Sequence, residues 1–126
     1  MTMDDGSGRR LGPNGTSIRA RTHDGCTVLH LAGEIDFNSA WQLREGMVES
    51  ISAGTSRVVV DLGDVPLMDS TGIGVLVFGL VRLQERGGWL RLASVNPPIV
   101  RILEILQLTD ELPVYPTVEA ALADVP

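Results

Sequence analysis

The sequence contains no lysine: all ten Lys-plus-Arg positions are arginines. That excludes a P-loop nucleotide site, whose lysine reaches the phosphates, and Schiff-base chemistry, which needs a side-chain amine. Cys26 is the single cysteine, which leaves no intrachain disulfide and no paired-cysteine metal or redox motif. Aromatic residues make up 4% of the chain, too few for a platform on which nucleobases stack. With a formal net charge of -6 the chain repels phosphate backbones, so no direct nucleic-acid partner is expected. No apolar run approaches the ~20 residues that span a bilayer, and Asp4, Asp5, Arg9 and Arg10 interrupt any signal-peptide core, so a cytoplasmic protein without membrane contact is expected.

What remains is a chain of 126 residues, 44% hydrophobic and 21% charged, which suits one globular domain with a core of Leu, Val, Ile and Ala. Residues 1–16 hold four glycines and Pro13 with almost no apolar periodicity, and are expected to form a flexible N-terminal tail. The folded domain then covers 17–126. Residues 17–21 and 26–31 alternate around His23-Asp24-Gly25, which predicts a hairpin. A loop at 33–39 ends in good N-cap residues, and the spacing predicts a helix over 40–51 with Trp41, Leu43, Met47, Val48 and Ile51 inward. Residues 57–62 form a β-branched run of the kind buried on both faces of a sheet.

A second helix opens near Ser70 and stops at Gly87-Gly88, with Ile73, Leu76, Val77, Leu80 and Leu83 on its core stripe. Val75 and Phe78 lie off that stripe; with Ile73 they fit either the apolar centre of an interface or core under a neighbouring helix. A strand at 89–93, a helix opening at Pro97-Pro98 with Val100, Leu103 and Leu106 inward and Ile99 and Ile102 as further inward candidates, a strand at 112–115 and a helix at 118–123 complete the pattern. The order implies an α/β fold: a mixed sheet of about five strands covered by about four helices.

Most catalytic readings fail on spacing. Gly72-Ile73-Gly74 opens like a dinucleotide-binding GxGxxG, but Val77 stands where its third glycine belongs. Ser70, His23 or His30, and Asp36 or Asp61 are nominal members of a hydrolase triad, yet no GxSxG turn surrounds Ser70. The aspartates Asp36, Asp61, Asp64 and Asp69 sit where turns favour Asp for its own backbone hydrogen bonds, so neither a metal nor any other cofactor is expected. Ser70 itself stands at a helix start, where unpaired N–H groups and a partial positive charge suit either a capping hydroxyl or a phosphorylated serine.

The segments Gly33-Glu34-Ile35-Asp36, Val58-Val59-Val60-Asp61-Leu62 and Met68-Asp69-Ser70-Thr71-Gly72-Ile73-Gly74-Val75-Leu76 together resemble the STAS-domain anti-sigma factor antagonists of bacterial partner switching. Gly88 to Leu92, Pro97 and Ile102 to Leu106 are similar as well, whereas Gln107 stands where the family usually has a glycine before the leucine. The resemblance implies a single STAS domain and a non-enzymatic regulator of transcription. When unphosphorylated, such a protein binds an anti-sigma factor that is a serine kinase of the histidine-kinase-like ATPase fold, and so frees a sigma factor, often in a stress response. The kinase phosphorylates the antagonist and a PP2C-type phosphatase restores it. Carried onto this chain, the phosphoacceptor is Ser70, with Thr71 the alternative. Asp36, Asp69, Ser70, Thr71, Gly72, Ile73 and Gly74 are the implied partner-binding residues. A small-ligand or nucleotide-sensing STAS module without kinase control is the alternative, using the same helix N-terminus as an anion site.

Overall fold

Alternation and β-branching set the strands of this protein, and glycine or its absence sets where the helices stop. The computed structural model describes residues 3–4 and 8–123. The chain order is β1 (Met3–Asp4), β2 (Arg10–Leu11), β3 (Ser17–His23), β4 (Cys26–Ala32), α1 (Ala40–Ser52), β5 (Arg57–Asp64), α2 (Ser70–Glu85), β6 (Trp89–Ala93), α3 (Pro97–Ile105), β7 (Val114–Tyr115) and α4 (Val118–Ala123). Among the described residues the strands make one sheet in sequential order, antiparallel from β1 to β4 and parallel from β4 to β7. The five strands and four helices expected from the sequence are all present, and the two short strands β1 and β2 extend the sheet at its N-terminal edge.

The hairpin between β3 and β4 is tighter than the alternation alone indicates. His23 pairs with Cys26, leaving Asp24 and Gly25 as a two-residue loop with φ of 49° and 80°. Positive φ at both positions matches the right-handed twist of the strands, and Asp-Gly tolerates it well.

Each parallel step adds a strand in the same direction, so right-handed crossovers must bring their helices to one face. They do: Leu43 and Met47 of α1, Ile73, Leu76, Leu80 and Leu83 of α2, and Ile99 and Leu103 of α3 share one core with Leu29, Val58, Val60 and Leu92 of the sheet. Among the described residues the opposite face carries α4, whose Val118 and Ala121 pack with Val28, Val59 and Ala93. Burial resolves the two placements open for Ile73 and Val75, which are 3% and 9% exposed and belong to the core. Phe78 is half-buried with the Arg44 guanidinium 4.3 Å from its ring centroid. Trp41, expected inward, is half-buried and Val48 is exposed, because α1 buries Gln42 and Gly46 instead. In α3 the buried pair is Ile99 and Leu103, while Leu106 is exposed and Val100 half-buried.

The expected tail, residues 1–16, falls partly on residues outside those described, and its remainder is built into the domain. Arg10 and Leu11 pair with Ile18 and Ser17 of β3. The buried Gln42 side chain donates from Nε2 to the Arg10 carbonyl at 2.9 Å, and the Arg10 guanidinium bonds the Glu49 carboxylate. Backbone and polar contacts hold this segment, which is why a search for apolar periodicity passes over it.

Three helices end in the same six-residue pattern. After α1, α2 and α3 the N–H groups of Thr55, Gly88 and Leu108 donate to the carbonyls of Ser50, Leu83 and Leu103, and the residue before each donor has a positive φ. That residue is Gly54 after α1 and Gly87 after α2, but Gln107, at 58°, after α3. This backbone position favours a glycine. We expect Gln107→Gly to raise unfolding free energy by about 0.5–1 kcal/mol, because the strain of a side chain at positive φ is relieved. Urea unfolding of the two proteins measures the difference, and an unchanged or lower midpoint counts against a strained Gln107.

Candidate functional site

Beyond the carboxyl ends of β4 and β5 the chain does not diverge at once. A bulge between His30 and Ala32 ends the regular register, and the two segments continue side by side through an isolated parallel bridge between Ile35 and Met68. The N–H of Gly33 donates to the Asp64 carbonyl, that of Ile35 to Leu67 and that of Asp69 to Ile35, each within 3.0 Å. Ile35 and Met68 are buried, so this zipper is anchored from below. It delivers the loop at 33–39 to the start of α2.

Asp69 is the N-cap of α2. Its Oδ1 accepts from the N–H groups of Thr71 at 2.9 Å and Gly72 at 3.3 Å, while Oδ2 accepts from the Phe37 N–H at 3.1 Å. The cap of this helix is therefore the aspartate and not Ser70. Ser70 occupies the first helical position, exposed to solvent, and its hydroxyl makes no hydrogen bond among the described residues. Thr71 is likewise exposed, one position deeper.

The other implied site residues divide by burial. Gly74 is exposed and Asp36 half-buried, whereas Gly72 and Ile73 face inward, contrary to their expected place on the binding surface. A Cβ on Gly72 would lie 2.5 Å from Met68 Cγ, so this glycine is needed for the close fit of α2 over the zipper. Asp36 folds onto its own loop: its Oδ1 accepts from the Asn38 N–H at 2.9 Å, and its carbonyl accepts from Ser39 and Ala40 at the start of α1. The Ser39 hydroxyl, expected to cap α1, donates back to the Glu34 carbonyl instead.

No triad forms around Ser70. His30 lies on the sheet, its Nδ1 2.9 Å from Asp61 Oδ2 and its Nε2 3.0 Å from Asp64 Oδ2, and His23 sits at the hairpin beside Asp24. Periodicity missed the two exposed apolar groups at this edge, Phe37 at 80% and Leu67 at 47% exposure. Both lie in loops, where helical and strand spacing carry no signal; an aromatic between Asp36 and Asn38 is the one cue the sequence offers.

Replacing Asp69 removes the acceptor for three N–H groups at once. Asp69→Ala should lower unfolding free energy by about 1–2 kcal/mol, with Asp69→Asn losing less because an amide oxygen still accepts. Chemical unfolding of both variants tests this; equal stability of Asp69→Ala and the parent protein would mean that the cap is redundant.

The family model for the STAS domain matches residues 17–121. An anti-sigma F factor antagonist of Paenibacillus polymyxa is 30% identical over 78% of this chain and 85% of its own, and an anti-sigma-B factor antagonist of Bacillus subtilis is 36% identical over 75% and 85%. Among solved structures, an anti-sigma factor antagonist from Mycobacterium paratuberculosis superposes with a TM-score of 0.81 at 26% identity, covering 91% of this chain and 97% of its own. The phosphorylated form of the Bacillus cell fate determinant SpoIIAA shares the fold, with a TM-score of 0.70 at 21% identity over 86% and 99%. The loop zipper, the aspartate-capped α2 and the serine at its first turn thus sit in a chain that belongs to the STAS domain family, among relatives that are anti-sigma factor antagonists.

Proposed function

We propose that this protein is an anti-sigma factor antagonist that acts by binding, not by catalysis. Unphosphorylated, it engages an anti-sigma factor that is itself a serine kinase, and so frees a sigma factor; phosphorylation at Ser70 ends the engagement, and a PP2C-type phosphatase restores it. The observation that carries the reading is the uncommitted Ser70 hydroxyl, exposed on a helix whose capping is already done by Asp69. The names of its relatives support the same role. Such a regulator works in the cytoplasm, and among the described residues no helix is long and apolar enough to cross a membrane.

The same carboxylate bears on what a phosphoryl group does here. A free helix N-terminus would accommodate phosphate, but the Thr71 and Gly72 N–H groups already donate to Asp69 and the Ile73 N–H to the Asp69 carbonyl. A phosphoryl group, bringing roughly -1.5 to -2 charges, is left facing solvent beside Asp69. For exposed groups, charge repulsion of this kind amounts to about 1 kcal/mol or less. Burying the dianion under a partner costs more, on the order of several kcal/mol per ion even after relaxation. Desolvation therefore drives release. A nucleotide-sensing role would require an open anion site at this helix, which Asp69 fills.

Incubation with the kinase and Mg-ATP is expected to add one phosphate, mapped by mass spectrometry to Ser70; full-stoichiometry labelling of Ser70→Ala would move the assignment to Thr71 or elsewhere. In calorimetry, Ser70→Asp should weaken kinase binding by about tenfold or more, since burying the added charge carries a desolvation penalty. Undiminished affinity would contradict the desolvation argument.

A further inference from the structure

Phe37 has four-fifths of its surface in water, yet its backbone N–H is hydrogen-bonded. The Asp69 carboxylate holds its N–H, the Asp36 carboxylate holds that of Asn38, and the Ser39 hydroxyl accepts from that of Asp36. A large apolar side chain displayed on an ordered backbone loses little conformational freedom on binding, which is the usual character of an interface hot spot. Leu67, about half exposed, projects from the partner segment of the zipper, its carbonyl accepting from the Ile35 N–H.

The surroundings select the occupant. Residues 33–39 and 65–74 contain Glu34, Asp36 and Asp69 and no arginine. Glu34 and Asp69 are exposed, and Asp36 is half-buried. A second copy of this chain would set these carboxylates against its own, an arrangement that costs affinity through like-charge repulsion. The complementary surface is an apolar pocket rimmed by basic side chains.

Resting on the proposed antagonist role, we infer that Phe37, with Leu67 on the adjoining segment of the zipper, is the apolar anchor of the partner surface, and that it inserts into a basic-rimmed pocket of the anti-sigma factor kinase. Asp69 then has two tasks in one carboxylate: it caps the helix that presents Ser70, and it holds the backbone of the anchor. One carboxylate thus ties together the backbone of the anchor and the helix that carries the phosphoacceptor.

The test uses the full-length protein and the histidine-kinase-like ATPases of its source genome, purified and titrated one at a time by calorimetry. Phe37→Ala is expected to weaken binding to the kinase that the parent protein engages by roughly tenfold or more. Ile105→Ala, which removes a comparably exposed apolar group on α3, is expected to stay within about twofold. For phosphoryl transfer to Ser70, Phe37→Ala should raise KM and leave kcat within about twofold, the pattern of lost uniform binding. Added salt should weaken the parent complex if the pocket rim is basic. If the parent protein binds a kinase and Phe37→Ala binds it equally well, the anchor is wrong and the antagonist role stands. If the salt response is flat, the basic rim is wrong. If no kinase binds the parent protein, both readings fall.

Discussion

The Asp69 carboxylate is the point on which the arrangement at the sheet's edge depends. One oxygen accepts from the first turn of α2 and the other from the loop that follows β4, so two segments thirty-two residues apart share a single anion. Helix capping by aspartate is common because the carboxylate satisfies orphan N–H groups and complements the helix dipole. Here the cap also fixes the geometry of a loop. It leaves the neighbouring serine without structural duty, and a hydroxyl with no structural duty can be modified without loss of the fold.

Beneath that carboxylate the sheet supplies the platform. The parallel pairing of β4 and β5 survives past the bulge at His30 through the Ile35–Met68 bridge, because both side chains have a core to enter. His30, held between Asp61 and Asp64, ties the same two strands together on the opposite face just before they leave the register. Packing below and polar contacts above therefore act on one stretch of chain. The crossover helices contribute by lying on a single face, which puts the start of α2 next to the loop leading into α1.

The strands and helices were legible because their signals are strong: the β-branched run of β5, the Asp-Gly turn of the hairpin, and glycines where α1 and α2 stop. The same reading erred where side-chain direction depends on neighbours. Helical spacing could not decide whether Val75 faces a partner or the core, since α1 packs against α2 and widens the apolar arc that the helix can bury. In α3 the spacing pointed to Val100, Leu103 and Leu106, with Ile99 and Ile102 as further inward positions, and of these only Ile99 and Leu103 are buried. The strand at Arg10–Leu11 was invisible because Gln42 and backbone bonds hold it. At the candidate site, the motif drew attention to Ser70 and Asp69, whereas nothing in the spacing drew attention to Phe37, because exposure in a loop is a property of the fold.

The tight seating of α2 limits what kind of signal the protein can carry. A Cβ on Gly79 would lie 2.6 Å from Met47 of α1, and one on Gly72 would press on Met68, so the helix touches its neighbours at backbone distance on two sides. Seating this close favours a fixed position for the helix over rolling or sliding. Under the proposed role, a mark on its first residue would be read where it is written, not through a moving helix. A kinase and a phosphatase would then meet one backbone, and what tells its two forms apart would be the state of a single oxygen.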